Sequence, residues 1–482
     1  MLSQEHAGYG PPAPLDVVIL AAGKGTRMKS RMPKVLHRLA GRPLLGHVLG
    51  LAQALAARQV VVVTGHEAQA VQAALPQLAP GLAVRPVLQQ PQLGTGHAVQ
   101  QAMTVLDDDG VVLVLSGDVP LTAPATLRAL LQAQAAAGTQ HALALLTVTM
   151  DDPHGYGRVL RDAQGRITAI VEEKDASAEQ RRITEVYSGI LAAPAARLRA
   201  WLQRLDNRNA QGEYYLTDVV RHAVADGAVV VAHRIDDAVQ VAGVNSPAQL
   251  AALERAHQRR VAEALLAQGV RLADPARLDV RGELVCAPDV DIDVGCVFEG
   301  RVELGEGVRV GAYCVVANAR IEAGAQLAPF THIDGGREGV VVGPRAQVGP
   351  FARLRPGAQL GPEVHVGNFV EIKNSTLAAG AKANHLAYLG DATVGERVNY
   401  GAGSITANYD GARKHRTVIG DDVHVGSNCV LVAPVTLGAG GTIGAGSTIT
   451  KDTPPGALTV ARAKPVTVPG WQRPRKDGSA SS

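Results

Sequence analysis

The sequence predicts two domains of different class in one chain: a doubly wound α/β domain followed by an all-β solenoid of stacked parallel strands. Three observations carry this. A length of 482 residues gives two or three domains at about 100 to 200 residues each. Between Asp16 and about Ala242, short runs of Val, Leu and Ile alternate with Ala- and Leu-rich stretches. Beyond them, 27 of the 53 glycines fall between Pro288 and Thr450, where an apolar residue followed by a small one recurs on a six-residue step.

Residues 1–15 have no basic start and no apolar stretch, so they read as a flexible extension rather than a secretory signal. Residues 17–20, 60–63, 111–115 and 143–148 are apolar runs without alternation; 44–57, 95–103 and 124–136 read as helices. Strands of that kind need helices on both faces, as in a parallel sheet. Ligands of such sheets sit beyond the carboxyl ends of the strands, which singles out the loops at 21–28 and 116–120 in a domain over 16–246. Residues 247–269 start on Pro247 and set Leu250, Leu253, Val261, Leu265 and Leu266 among charged residues, a linker helix. Over 270–464 the six-residue step passes through Ile292, Leu304, Val310, Val342, Val348, Leu354, Leu360, Val366, Val394, Val425, Leu431, Leu437 and Ile443. That period makes a parallel β-helix, each short strand stacking on the coil below. Interruptions at 333–341 and 408–417 project as loops, often on a binding face. Residues 465–482 mix Pro, Arg, Lys, Gly and Ser around Trp471 and read as a mobile basic tail.

Composition excludes several functions. Forty-seven Lys and Arg against 44 Asp and Glu leave +3, too little to require nucleic acid or an anionic membrane as partner. The most apolar span, 44–63, carries His47, Gln53, Arg58 and Gln59, so no membrane crossing is expected. Cys286, Cys296, Cys314 and Cys429 form no CxxC pair, which fits free thiols in a cytoplasmic protein. Aromatics at 3% leave the cores to Val, Ile, Leu and Ala, which suits thin stacked layers.

Residues 20–28 read Leu-Ala-Ala-Gly-Lys-Gly-Thr-Arg-Met after a strand. The glycines let backbone amides approach a phosphate while Lys24 and Arg27 add charge. The pattern is neither GxxxxGK[ST] nor a complete GxGxxG, since Met28 stands at the third glycine. It continues to Pro33-Lys34, and with that LxxGxGxRM string the segment resembles the sugar-1-phosphate nucleotidyltransferases. Gln89 with Gln92-Leu93-Gly94-Thr95-Gly96-His97 is similar to that family's uracil-reading segment, and Ser116-Gly117-Asp118-Val119-Pro120 to its metal-aspartate turn. A buried strand delivering a carboxylate to a loop is what Mg²⁺ bound to phosphates requires. Gly155-Tyr156-Gly157-Arg158, Val171-Glu172-Glu173 and Gly243-Val244-Asn245 come after it in the family's order. From about Val17 to Trp471 the chain resembles the bacterial bifunctional N-acetylglucosamine-1-phosphate uridyltransferases/glucosamine-1-phosphate acetyltransferases.

The resemblance implies a Rossmann-like first domain and a left-handed hexapeptide β-helix. It implies UTP and sugar contacts at Leu20, Ala21, Ala22, Gly23, Lys34, Gln89, Gly94, Thr95, Ser116, Gly117, Asp118, Gly157, Glu172, Tyr187 and Asn245. Mg²⁺ would be held through Asp118 and Asn245, with Lys34 and Arg27 spreading the charge of the reacting phosphates. The family usually carries Asn-Thr-Gly where this chain has Tyr187-Ser188-Gly189, so a phenol replaces an amide at a sugar contact. A phenol can donate, accept or stack on a sugar face.

In the β-helix, Arg355 and Lys373 stand on successive coils and can hold a sugar phosphate, Arg by a planar fork and Lys as a point charge. Residues 382–391 resemble the acetyltransferase base segment, with His385 as base. Histidine accepts a proton near neutral pH, as attack of an amine on a thioester demands. The resemblance adds Tyr388 and Asn399 to the sugar-phosphate site, and Ala402, Asn408, Tyr409, Ser427, Ala445 and Arg462 to the acetyl-CoA site. It implies a homotrimer through the β-helices, with coenzyme A at subunit boundaries. Two reactions are expected. Acetyl-CoA acetylates glucosamine 1-phosphate, and UTP then uridylylates N-acetylglucosamine 1-phosphate, giving UDP-N-acetylglucosamine and pyrophosphate for peptidoglycan and lipopolysaccharide synthesis. The alternative is a nucleotidyltransferase alone, its β-helix used for assembly or regulation; His385 and Asn408-Tyr409 argue against it.

Overall fold

The computed structural model describes residues 13–138 and 141–474, in two compact units that part between Arg260 and Val261. Most of the expected extension over 1–15, and residues 475–482 of the expected tail, lie outside the described residues. None of the described helices is long and apolar enough to cross a membrane.

The first unit is built on strands β1 (Leu15–Ala21), β2 (Gln59–Thr64), β3 (Val84–Leu88), β4 (Val111–Ser116), β5 (Ala142–Thr149), β6 (Gly157–Arg161), β7 (Ile167–Val171), β8 (Glu185–Pro194) and β9 (Val229–Ile235). They lie in the order β9-β5-β8-β4-β1-β2-β3, with the β6–β7 hairpin attached to β8. Helices α1 (Leu44–Ala54), α2 (Ala68–Leu78), α3 (Thr95–Met103), α4 (Pro124–Ala136), α5 (Ala195–Leu202) and α6 (Asp218–Ala225) cover both faces. Val18, Val61, Val63 and Val114 pack with α3, α5 and α6. Their sequence neighbours Val17, Ile19, Val60 and Val62 pack with α1, α2 and α4. Runs without alternation thus serve two cores at once.

One expectation is corrected. The sheet is not wholly parallel, because β8 runs antiparallel to both β4 and β5. The chain reaches β8 through the β6–β7 hairpin instead of a crossover helix, so nothing returns it to the parallel sense. The order reverses at β1, which is parallel to β2 on one side and β4 on the other. The loops after β1 and β4 therefore open into one crevice.

Helix α7 (Pro247–Ala267) begins in the first unit, where Leu253 joins Met28, Leu39 and Leu44. Its end belongs to the second, where Ala262 and Leu265 join the β-helix core. That core contains every apolar position read from the six-residue step. Three parallel ladders run along it: Ile292, Val310, Leu327, Val348 and Val366 in one; Val316, Ile333, Leu354, Ile372 and Leu389 in the second; Ile321, Val342, Leu360, Leu377 and Val394 in the third. The thiols are free, and burial pushes Cys296 up to about 12 and Cys314 to about 11, which leaves both unreactive.

One corner of the prism forms a continuous column. Tyr313, Phe330, Phe351, Phe369, Leu386, Gly403, Asn428 and Gly446 occupy it on successive coils, each with a left-handed φ between 48° and 72°. Backbone bonds tie the column together: Leu386 N–H donates to Asn368 O, Gly403 to His385 O, Asn428 to Ala402 O and Gly446 to Ser427 O. The insertions lengthen two coils and leave the ladders on either side in register.

Candidate functional site

The crevice between β1 and β4 opens into a cleft of about 470 Å³ lined by Leu20, Ala21, Ala22, Gly23, Lys24, Lys34, Gln89, Gly94, Thr95, Ser116 and Asp118. Gly25 takes φ 59° to turn the loop out of β1, and a Cβ there would collide with Lys34. Gln89 is buried at the rim, its amide donating to Gly94 O at 2.9 Å, and Gly94 (φ 107°) starts α3. A Cβ on Gly94 would meet Tyr214 O at 2.7 Å, so only glycine admits the chain there. Gly117 N–H donates to Leu20 O at 2.9 Å and locks the two loops together.

Lys34 Nζ donates to Asp118 Oδ2 and, at 2.9 Å, to Asn245 Oδ1. Asp118 comes from the end of β4 and Asn245 from the turn before α7, two oxygens brought to one positive charge. Tyr156, whose hydroxyl burial holds above its ordinary pKa, lies near Asp118. Arg27 is exposed on the short turn Thr26–Met28 and does not line the cleft.

Gly157 and Glu172 meet on the β6–β7 hairpin, where a Cβ on Gly157 would lie 3.8 Å from the Glu172 carboxyl, and Glu172 lines a second cavity of about 400 Å³ with Asp175, Tyr215, Thr217 and Asp218. Burial, then neighbouring Asp218, Asp175 and Glu213, push the Glu172 carboxyl up, and Thr217 Oγ1 donates to it at 3.1 Å. Tyr187 pairs with Gly157 across the β6–β8 ladder but is 5% exposed, packed in the core with Leu216 and Val219. Its hydroxyl has no partner among the described residues.

On the β-helix, Lys373 faces Lys414 and Arg355. The Lys414 contact, then burial, hold the Lys373 ammonium below its usual pKa. Three cations with two carboxylates nearby, Asp391 and Glu371, leave positive charge in excess and make a place for an anion. Arg355 is steadied by Glu371 at 2.7 Å. Asp391 accepts from Asn374 and from buried Asn408, and the Tyr388 phenol lies over Gly390, where a Cβ would collide with it.

His385 is exposed at the corner column, its Nδ1 2.9 Å from Asn368 Oδ1 on the coil below. With the amide oxygen accepting, Nδ1 carries the proton and Nε2 is left as an acceptor. Ala402, Ser427 and Ala445 continue this column above His385, and Arg462 Nη1 donates to Ala445 O at 2.7 Å. Tyr409 is 62% exposed on the insertion. Asn399 stands on the coil above the strand Lys382–His385 and in the same ladder, in register with Lys382 and His424, whereas Lys373 and Tyr388 belong to another ladder. Along one coil His385 precedes the strand Tyr388–Gly390, whose far end is level with Lys373.

Two contributors escaped the sequence reading. Lys414 lies inside the interruption at 408–417, where a run of Arg413, Lys414, His415 and Arg416 was the available signal. Asn368 is found only by closing the coil, since its partner lies 17 residues on. Among the described residues, no three His, Cys, Asp or Glu side chains cluster as a metal site.

A glycine-loop cleft at the switch point of a doubly wound sheet, together with a cation cluster and an oriented imidazole on a β-helix, defines a two-site transferase. Residues 17–188 match the MobA-like NTP transferase domain family and residues 337–440 the GMPPB C-terminal domain family. The bifunctional protein GlmU of Paracidovorax citrulli is 70% identical over 96% of this chain and 98% of its own. That of Albidiferax ferrireducens is 69% identical, covering 96% and 100%, and that of Aromatoleum aromaticum 59%, covering 96% and 99%. The chain belongs to the bifunctional GlmU family. It is a bifunctional transferase that performs acetyl transfer and then uridylyl transfer in UDP-N-acetylglucosamine synthesis.

Proposed function

We propose that uridylyl transfer takes place in the β1–β4 cleft and acetyl transfer at the cation cluster and His385. The observation that carries the first assignment is the convergence of Asp118 and Asn245 on one cation beside the glycine loop. A phosphate oxygen of N-acetylglucosamine 1-phosphate attacks the α-phosphorus of UTP; the new P–O bond forms as the bond to the β-phosphate oxygen breaks, and pyrophosphate leaves. Amides of residues 21–23 and the Lys34 ammonium, with Arg27 reaching in from its turn, take up charge on the phosphates. Gln89 and Gly94 read the base, Ser116 and Thr95 line the nucleotide, and Glu172 accepts from a sugar hydroxyl. Tyr187 acts from behind Gly157.

Mg²⁺ fits this donor set. Asp118 and Asn245 offer two oxygens already aimed at a positive charge, and Mg²⁺ takes one or two such protein ligands alongside substrate phosphates. Bound there, it supplies charge neutralisation at the reacting phosphates.

For acetyl transfer, Lys373, Lys414 and Arg355 hold the phosphate of glucosamine 1-phosphate, with Tyr388 and Asn399 on the sugar. The amine nitrogen attacks the thioester carbonyl while His385 Nε2 takes its proton. The C–N bond forms, the C–S bond breaks and coenzyme A leaves along Ala402, Ser427 and Ala445, near Asn408, Tyr409 and Arg462. His385 and Lys373 are separated by a strand of about 10 Å at about 3.3 Å per residue, whereas a base must come within about 3 Å of its proton. That separation supports a homotrimer in which neighbouring copies complete each site. Four sparse cysteines, none of them in a disulfide, support a cytoplasmic home.

Pyrophosphate release from UTP with N-acetylglucosamine 1-phosphate, and thiol release from acetyl-CoA with glucosamine 1-phosphate, test the assignment. Both are expected from the one protein. Thiol release absent while pyrophosphate release is present would reduce the β-helix to assembly.

A further inference from the structure

Helix α4 starts without a cap of its own. Its flanking residue is Ala123, whose side chain offers no acceptor, and Pro124 takes the first helical position. The start of a helix leaves amides that need partners, and this start is shielded from water, with Thr122 and Thr126 5% and 9% exposed. The acceptor comes from another segment. Gln240, on the single turn Ala238–Val241, accepts at Oε1 from Ala123 N at 3.1 Å and from Thr126 Oγ1 at 2.7 Å. Thr122 Oγ1 donates to Gln240 O at 2.8 Å. In a capping box a Glu or Gln of the helix itself accepts from the cap residue's amide; here a glutamine does so from outside the helix, 117 residues along the chain.

The two stretches joined in this way carry the proposed cation pair. The chain runs from Asp118 directly into Thr122, and from Gln240 directly into Asn245. Between the clasp and the pair lies one further bond, Val244 N–H to Asp118 O at 2.9 Å. A Cβ on Gly243 would lie 3.8 Å from Asp118 Oδ2 and from Asn245 Nδ2. We infer that Gln240 is a positioning residue for uridylyl transfer: by capping α4 with its Oε1 it fixes the spacing of Asp118 and Asn245, and with it the affinity of the pair for a divalent cation. This role rests on the reading of Asp118 and Asn245 as the metal pair and adds what holds the two together.

Asp118 is anchored by the end of β4, whereas Asn245 lies between a single turn and α7, in no strand. Its place therefore depends on what ties that turn down. Arg260 also spans the two stretches, donating to Leu121 O at 3.2 Å and to Asp237 Oδ2 at 2.6 Å. The side chains of that ion pair are 36% and 47% exposed, so water and salt screen it and it adds little. The Gln240 bonds end on buried threonines and a helix amide, and a shielded donor that loses its acceptor loses the full cost of its desolvation. Gln240 outweighs Arg260 for that reason.

Only an acceptor is needed. Ala123 N–H can only donate, so the Gln240 atom facing it is the oxygen. A glutamate keeps both side-chain bonds, and its charge is favoured at a helix N-terminus. Methionine has a similar length and no comparable acceptor, so it breaks both.

The full chain carries the test, as Gln240→Met, Gln240→Glu, Thr126→Val and Asp118→Asn. Mn²⁺ binding to the nucleotide-free protein is read by electron paramagnetic resonance, exchange of the Val244 amide by mass spectrometry, and uridylyl transfer as a function of Mg²⁺ concentration. With two neutral hydrogen bonds lost, Gln240→Met should bind Mn²⁺ about tenfold more weakly and exchange Val244 about tenfold faster. It should need about tenfold more Mg²⁺ for half-maximal uridylyl transfer, with kcat at saturating Mg²⁺ within about threefold of wild type. Gln240→Glu should stay within about threefold of wild type in every measurement, and Thr126→Val, which removes one bond, should move in the direction of Gln240→Met by about threefold. Gln240→Met with wild-type Mn²⁺ affinity overturns the role, and so does Gln240→Glu as weak as Gln240→Met. A fall in kcat with unchanged Mg²⁺ half-saturation also overturns it, because that pattern belongs to general damage. If Gln240→Met does not fold, Thr126→Val decides: unchanged Mn²⁺ affinity and Val244 exchange overturn the clasp. Asp118→Asn that binds Mn²⁺ as wild type does would overturn the metal pair itself, a different failure.

Discussion

Asn368 holds no substrate in the proposed mechanism, yet it decides which nitrogen of His385 is free. Its Oδ1 lies 2.9 Å from His385 Nδ1, on the coil below and in register with it. A neutral hydrogen bond of this kind contributes about 0.5–1.5 kcal/mol net, which corresponds to about 2- to 13-fold in rate if all of it serves to hold the ring and its tautomer. Asn368→Ala is therefore expected to lower kcat of acetyl transfer by that factor, with KM for both substrates within twofold. His385→Ala removes the base and should cost about 10² to 10⁴. The double variant should be no slower than His385→Ala alone, because Asn368 acts only through the imidazole. Thiol release at saturating acetyl-CoA and glucosamine 1-phosphate measures all three. An Asn368→Ala variant that loses a further several-fold in the His385→Ala background would refute the positioning role, and a loss beyond about 100-fold on its own would mean that Asn368 touches the reacting atoms.

Lys414→Met removes the like charge that depresses the Lys373 ammonium, so the Lys373 titration followed by NMR should move up and affinity for inorganic phosphate should fall about tenfold; an unmoved titration would contradict the cluster. Lys34→Met frees Asp118 and Asn245 from the cation they now hold, so the nucleotide-free chain should bind Mn²⁺ several-fold more tightly by electron paramagnetic resonance, and weaker binding would count against the pair as a cation site. Burial raises the Glu172 carboxyl in the folded state, so the native protein holds that proton more tightly than the unfolded chain and stability falls as pH rises from the ordinary carboxylate value through the raised one. Glu172→Gln should then stabilise the first unit's calorimetric transition more at pH 7 than at pH 4, and raise KM for N-acetylglucosamine 1-phosphate; an equal shift at both pH values would show that the carboxyl is not strained by burial.

The solenoid was legible because a six-residue period is a covalent fact: Val342, Val348, Leu354 and Leu360 are spaced by chain length alone and all turn inward. The cleft was legible for a related reason, since Leu20 to Lys24 and Ser116 to Asp118 leave adjacent strands and must meet where the strand order reverses. What depends on closure in space was not. The partnership of Asn368 with His385 arises from a 17-residue coil, which the interruptions hide among coils of other lengths. The direction of β8 depends on whether a hairpin or a helix precedes it, and apolar runs look alike in either sense. Lys414 became a site residue only when the insertion folded back on Lys373. Tyr187 shows the converse. Its place in a matched string suggested a sugar contact, whereas the phenol is buried in the core cluster with Leu216 and Val219 and pairs across the ladder with Gly157.

The central claim is that two independent chemistries share one chain, and crossing two single substitutions tests it most directly. Asp118→Asn and His385→Ala are purified separately and each is assayed for both reactions. Asp118→Asn should lose uridylyl transfer by about 100-fold or more and keep acetyl transfer within twofold, and His385→Ala should show the reverse. Mixed in one vessel with acetyl-CoA, glucosamine 1-phosphate and UTP, the two variants should together make UDP-N-acetylglucosamine, since each supplies the step the other lacks. Loss of both activities from either substitution in a folded protein, or a mixture that yields no product, would contradict the account.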